Sequence, residues 1–315
     1  MKAVVYHQYG TPEVLEIAEL PMPEPLADEV LIRVRASGVN PTDSVQRSGQ
    51  FKLLMGKSFP KRIGCDVAGE IVSVGSTVTQ FKSGDRVYGM TADFDRVGTA
   101  AEYVTMKAKW LAHTPGTLTD IQAAAVPLAA ETALQALRDH GKLKLGDSVL
   151  VNGASGGVGL FAIQIAKAMG AHVTAVTSAR NRELVCTYGA DEVIDYATTD
   201  MRQLTQTFDL IADMRGGWTV GGIRHLLGKE GRFVTIAPNP VLLLKSFLSQ
   251  RFGRKRIAAF FVESRASDLE SFREWINTGM LRVHIDTVYS LDHIREAHAQ
   301  IESKRTRGKL VLRIH

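Results

Sequence analysis

The sequence predicts an α/β protein in which a doubly wound parallel sheet follows a compact β-barrel-like domain. Three observations predict it. From Ser148 onward, candidate strands alternate with helical segments. The first ~120 residues carry short strand-like runs punctuated by Gly and Pro. One strand, ending at Asn152, runs straight into a glycine-rich turn and a helix. A chain of 315 residues suggests about two domains of ordinary size.

The elements follow in order. Val30–Ala36 alternates partly between β-branched and charged residues and then meets Gly38. Ala68–Gly75 is a second strand ending in a turn, and Asp85–Gly89 a shorter third. Pro21, Pro23 and Pro25 mark a rigid surface connection, since proline cannot donate to a central ladder. Thr119-Asp120-Ile121-Gln122 is a capping box that opens an Ala-rich helix. Expected strands are Ser148–Asn152, His172–Thr177, Glu192–Asp195, Leu210–Asp213, Arg232–Ile236 and Ile257–Val262. Six strands in βαβ alternation imply a parallel, doubly wound sheet. A helix near Leu269–Asn277, a strand near Val283–Val288, a helix near Leu291–Ser303 and a last strand, Lys309–Ile314, close the chain. No internal repeat or low-complexity stretch interrupts it.

Composition excludes several classes. Apolar residues at 45% and charged residues at 23% describe an ordinary folded protein. The net charge, 38 − 33 = +5, is too mild for a dedicated nucleic-acid binder. Two cysteines, Cys65 and Cys186, make neither a disulfide scaffold nor a four-cysteine zinc site. No window approaches the ~18 apolar residues of a membrane span. The opening Met1–Tyr6 lacks a signal peptide's apolar region, so a cytoplasmic protein is expected.

The most informative segment is Val149–Gly159. The fingerprint G-x-G-x-x-G appears with its first position altered, as Ala154-x-Gly156-x-x-Gly159. A turn without side chains lets the backbone approach a diphosphate, and the helix N-terminus supplies free N–H groups. In the helix, Val158, Phe161, Ala162, Ile165, Ala166 and Met169 share one face, and Gly170 ends it. Dinucleotide binding is therefore expected. Enzymes that use NAD place an acid near the end of the second strand, ~20 residues after the glycines. Here that strand ends Thr177-Ser178-Ala179-Arg180-Asn181-Arg182, with a hydroxyl and two arginines at the tip. Guanidinium groups suit a 2′-phosphate, so NADPH is the expected cofactor.

The chain resembles the medium-chain dehydrogenase/reductase superfamily, specifically its zinc-free quinone oxidoreductase branch. The resemblance covers the whole chain. It is carried by Gly38–Asp43, Gly64–Val72, Phe81–Val87, Ala101–Tyr103, Pro127–Ala133, Gly153–Gly159, Gly189–Tyr196 and Arg307–Lys309. It implies a GroES-like catalytic domain over 1–121, a Rossmann NADP-binding domain over 122–282, and a return segment, 283–315, that completes the first. It also implies a cofactor between the domains and a homodimer.

Zinc-bearing relatives carry a cysteine where Asn40 stands, Gly-His-Glu where this chain has Gly64-Cys65-Asp66, and a third ligand near Leu128. Cys65 and Asp66 alone fall short of three protein ligands, so no metal is expected. Carried over residue by residue, Ser155, Gly156, Gly157, Val158 and Gly159 would meet the diphosphate. Ser178, Arg180 and Tyr196 would surround the 2′-phosphate. Thr132 would seat the nicotinamide end, Ile236 and Pro238 would line its ribose, and Lys309 would reach the cofactor from the return segment.

The implied reaction is direct hydride transfer to a quinone or an α,β-unsaturated carbonyl. Asn40 is the candidate for orienting the carbonyl or the nicotinamide. A tyrosine that some branch members carry a few residues later is missing from Asp43-Ser44-Val45. A non-catalytic NADPH-binding protein, crystallin-like or redox-sensing, is the alternative from another class. A zinc-type alcohol dehydrogenase is disfavoured. The apolar-then-basic stretch 241–256 is expected to be a pocket lid or subunit contact rather than a membrane anchor.

Overall fold

Glu29–Val39, an 11-residue strand, organises one half of the molecule. The structure is a computed structural model that describes residues 1–50, 52, 58–93, 96–238, 240–252 and 255–314, without the side chains of 240 and 250–252. The chain divides into unit 1 (Met1–Leu128, Ser264–Gly279 and Val283–His315) and unit 2 (Ala129–Glu263 and Met280–Arg282). The expected boundaries differ from these at two places. Residues 122–128 and the helix Ala266–Asn277 belong with unit 1. Two hydrogen bonds explain the helix: Tyr88 Oη donates to Leu269 O at 2.6 Å, and Ser264 Oγ to Met90 O at 2.8 Å.

Unit 1 contains β1 (Lys2–Tyr6), β2 (Glu16–Glu19), β3 (Glu29–Val39), β4 (Lys61–Arg62), β5 (Asp66–Val74), β6 (Arg86–Met90), β7 (Tyr103–Lys107) and β8 (Leu111–His113). The six strands of unit 2 are β9 (Ser148–Asn152), β10 (His172–Thr177), β11 (Glu192–Asp195), β12 (Phe208–Asp213), β13 (Leu227–Thr235) and β14 (Arg256–Ala259). Two more, β15 (Ile285–Ser290) and β16 (Lys309–Arg313), return to unit 1.

In unit 1, β1 joins β2 and β4, while the larger sheet runs β15-β16-β3-β5-β6-β8 with β7 also on β3. β16 pairs antiparallel with β3, Leu310 opposite Val39 and Arg313 opposite Ala36. Leu310 and Leu312 bury themselves among Val39, Ile294 and Val4. Each such side chain is worth roughly 1.5–3 kcal/mol of burial, enough to hold the returning strand.

In unit 2 the strand order is β11-β10-β9-β12-β13-β14, all parallel. This is the doubly wound order whose chain reversal, between β9 and β10 on one side and β12 on the other, opens a crevice at the strands' carboxyl ends. The helix Gly157–Ala168 packs below that point with every residue from Gly159 to Ala166 buried. It is thus buried more widely than the single face expected, because Leu160, Ile163 and Gln164 are enclosed as well. Gln164 explains why 280–282 belongs here: its side chain donates to Arg282 O and accepts from Arg282 N.

Two further expectations are corrected. The Ala-rich helix is not continuous: Asp120–Ala123 stops, and Pro127 starts a second helix, Pro127–Leu134. Proline lacks the N–H that a continuous helix would use there. β13 begins at Leu227, five residues before the expected start at Arg232, since Gly228-Lys229-Glu230-Gly231 is strand rather than turn.

The stretch 241–256 forms the helix Pro240–Phe252 and β14, with Gly253 and Arg254 outside the described residues. Val241, Leu244, Phe247 and Leu248 are exposed on that helix. Among the described residues no helix is long and apolar enough to cross a membrane.

Candidate active site

The glycine loop sits at the carboxyl end of β9. Gly153 has φ +73°, the left-handed region that only glycine enters cheaply. A Cβ on Gly159 would lie 2.2 Å from Gly153 O, so close packing of the loop against the helix demands glycine there. Gly156 is different. Its φ is −80°, and a Cβ would meet nothing nearer than Gly153 O at 3.4 Å. The fold itself does not require that glycine; a group approaching the loop from outside would. Gly156 caps the helix, whose first-turn N–H groups at Gly157, Val158 and Gly159 have no intrahelical partner. The cradle therefore fits a nucleotide diphosphate. We expect Gly156→Ala to leave the thermal midpoint within about 2 °C, a change below 0.5 kcal/mol, while weakening nucleotide binding. Titration of NADPH fluorescence checks it, and Gly159→Ala, which should fail to fold normally, is the contrast.

The tip of β10 lies beside this loop. Thr177 Oγ1 donates to Ser155 Oγ at 3.0 Å, and Asn181 Nδ2 donates to the same oxygen at 2.9 Å. Tyr196 N donates to Thr177 O at 3.2 Å, which ties Tyr196, 62% exposed, to the end of β10. Arg180 is exposed and Ser178 half-buried. No carboxylate stands at positions 178–182; Asp195, on the neighbouring strand, is turned to Ala197 N. Behind the loop, Asp213 accepts from Asn152 Nδ2 at 2.8 Å and from Gly216 N at 3.0 Å, so one buried carboxylate ties β9 to the turn after β12. Ile236 and Pro238 are half-buried after β13, and Thr132 is buried in the helix Pro127–Leu134.

Asn40 and Lys309 lie in unit 1, within a buried polar cluster. The pairing of Leu310 with Val39 puts Lys309 beside Asn40 at the end of β3. Gly38 lets the strand come this close, since a Cβ there would sit 2.5 Å from Asp66 Oδ2. Asn40 Nδ2 donates to Asp66 Oδ2 at 2.9 Å, and Lys309 Nζ donates to Asn40 Oδ1. Asp66 also accepts from Leu128 N at 2.8 Å and pairs with Lys309 Nζ at 3.5 Å. Asn40 is 1% exposed, Lys309 4% and Asp66 0%. Both ends of the Asn40 carboxamide are thus occupied inside the unit, and Lys309 is a buried ion-pair partner rather than a solvated charge.

Asp43 completes the cluster, accepting from Asn40 N at 2.8 Å and from Cys65 Sγ at 3.5 Å. Burial, with a smaller contribution from the Asp66 charge, raises its pKa to about 7. Burial and the Asp43 and Asp66 charges push the Cys65 thiol up. Elsewhere in unit 1, burial and the Arg47 guanidinium lower His298 to about 3, and its neutral Nδ1 accepts from Arg47 Nε at 3.4 Å.

These shifts act on stability with opposite signs. Asp43's folded pKa lies above its unfolded value, so its contribution is present in acid and lost as pH rises from about 4 to about 7. His298's lies below, so its contribution is present above about 6.5 and lost as pH falls toward 3. Urea midpoints between pH 4 and 8 should show that Asp43→Asn removes the loss on the alkaline side and leaves the acid-side loss intact.

The glycine loop and the tip of β10 lie where the sequence places them, and two residues that brace them, Asn181 and Asp213, are not among the expected site residues. The position of Asp213 at a strand's carboxyl end, where doubly wound sheets bind ligands, was the available signal.

A doubly wound unit with a glycine-loop diphosphate cradle, joined to a β unit built partly from the chain's end, defines a nicotinamide-dependent oxidoreductase of two domains. The profile of the family described as "Alcohol dehydrogenase GroES-like domain" matches residues 26–116, and that of "Zinc-binding dehydrogenase" matches 188–312. Quinone-oxidoreductase QR1, chloroplastic, from Triphysaria versicolor is 33% identical, over 99% of this chain and 98% of its own. A solved quinone oxidoreductase from Coxiella burnetii superposes with a TM-score of 0.92 at 31% identity, covering 100% of this chain and 99% of that one. The Escherichia coli quinone oxidoreductase complexed with NADPH gives 0.87 at 25% identity, each chain fully covered. The chain belongs to the medium-chain dehydrogenase/reductase superfamily, in its quinone oxidoreductase group.

Proposed function

We propose that the protein is an NADPH-dependent reductase that passes hydride to quinones or α,β-unsaturated carbonyls without zinc. The observation that carries the cofactor choice is the tip of β10, where Ser178 and the exposed Arg180 follow the strand, Tyr196 N donates to Thr177 O, and positions 178–182 hold no carboxylate. A reduced nicotinamide, when bound, supplies the hydride. The chain's part is to grip and orient: Ser155 and the helix-end N–H groups at the diphosphate, Arg180 at the 2′-phosphate.

The residues at the usual zinc positions do not fit a zinc ion. Asn40 is neutral, the Cys65 thiol is held protonated, and Asp66 already pairs with the Lys309 ammonium. A hydride acceptor must then be electron-poor by its own structure, as quinones and enones are.

The test follows NADPH oxidation with a small quinone, a short 2-alkenal and a longer enone, each repeated with NADH. Turnover with any of them, faster with NADPH, supports the reading. Tight NADPH binding with no turnover overturns the catalytic assignment and leaves a nucleotide-binding protein. The reading includes a homodimer, which sedimentation velocity checks.

A further inference from the structure

The turn that joins β10 to the helix Arg182–Thr187 holds a polar group with no evident structural purpose. Asn181 is 5% exposed, yet its Oδ1 has no hydrogen-bond partner among the described residues. Its Nδ2 faces three hydroxyls: Ser155 Oγ at 2.9 Å, Ser178 Oγ at 3.3 Å and Thr177 Oγ1 at 3.4 Å. A buried acceptor left unsatisfied is uncommon in native proteins and asks for a reason.

The direction of the bonds supplies one. A hydroxyl has one proton to donate and two lone pairs to accept with. Ser155 Oγ accepts from Thr177 Oγ1 and from Asn181 Nδ2, so both lone pairs are filled from behind the loop. Its single proton has no acceptor among these neighbours. It is left for a group on the other side of Ser155, where the glycine cradle opens. Were the amide reversed, Asn181 would draw that proton inward and the loop would lose a donor.

We propose that Asn181 is a positioning residue for the nucleotide diphosphate: by donating to Ser155 Oγ it keeps the Ser155 hydroxyl proton free for a diphosphate oxygen at the glycine loop. This rests on the cofactor reading above and deepens it. It separates two roles at neighbouring positions. Arg180 discriminates the 2′-phosphate, whereas Asn181 acts, through Ser155, on the part that both nicotinamide dinucleotides share.

The test is equilibrium binding of ADP-ribose, NADPH and NADH to four proteins: wild type, Asn181→Ala, Ser155→Ala and the double variant. ADP-ribose has the diphosphate and lacks both the nicotinamide and the 2′-phosphate. Asn181→Ala is expected to weaken all three ligands by about tenfold, the scale of one hydrogen bond to a charged group. In the Ser155→Ala background the same substitution should cost nothing further. Additive losses in the double variant, or no loss in Asn181→Ala, would overturn the proposal.

Asn181→Asp, isosteric with asparagine, covers the case in which alanine loosens the turn. Its carboxylate accepts the Ser155 proton, so the loss should be at least as large. Matching thermal midpoints of the nucleotide-free proteins separate positioning from unfolding. Failure of the wild-type protein to bind any of the three ligands would instead overturn the cofactor reading, and the proposal with it.

Discussion

Lys309→Met should lower stability by about 3–5 kcal/mol, the range seen when one partner of a buried ion pair is removed. The reason lies in what stays behind. Asp66 is fully buried and would lose its counter-charge, keeping Asn40 and the Leu128 N–H as its partners among the described residues. Methionine fills much of the lysine's volume, so the loss is electrostatic rather than a cavity. A second variant separates these causes. In the Lys309→Met, Asp66→Asn double variant both charges are gone, and most of the loss should be recovered. Urea midpoints at pH 7 read both variants. A single variant within 1 kcal/mol of wild type would show that the pair is dispensable.

The second large effect is on cofactor choice. Arg180→Ala should weaken NADPH binding by about 10–100-fold, the loss of one or two charge-assisted hydrogen bonds, and leave NADH binding almost unchanged. The exposure of Arg180 means that its removal creates no buried gap, so the folded protein should be unaffected. Raising ionic strength should narrow the difference between the two cofactors in the wild type and change little in the variant. Equal losses for NADPH and NADH would sink the assignment of the 2′-phosphate to this turn.

How much of this was legible in the sequence depended on how local each feature is. The glycine loop, the capping box at Thr119 and the strand alternation after Ser148 are written in consecutive residues, and the structure has them. Strand ends were harder. Gly38 reads as punctuation, yet it lies inside β3, because the approach of Asp66 and Ala124 leaves no space for a side chain. Gly228 and Gly231 likewise lie inside β13, ahead of the expected start at Arg232. The cluster around Asn40 was least legible. Its partners Asp66 and Lys309 are 26 and 269 residues away, and no local pattern announces a pairing that only strand register creates. Asn181 was hidden for another reason: in sequence it is an ordinary turn residue, and only the direction of its hydrogen bonds distinguishes it.

The return of β16 to the side of β3 has a consequence for the order in which the chain can mature. During synthesis β3 emerges early, but its neighbour on that side is made only after most of unit 2. Unit 2 is nearly complete in sequence by Glu263 and can fold while unit 1 still waits for its last strand. Until Lys309 arrives, Asp66 lacks the ion-pair partner it has in the folded unit, and the open flank of β3 is exposed to whatever else can pair with it. Loss of residues 309–313 would therefore remove a sheet neighbour and a buried cation together.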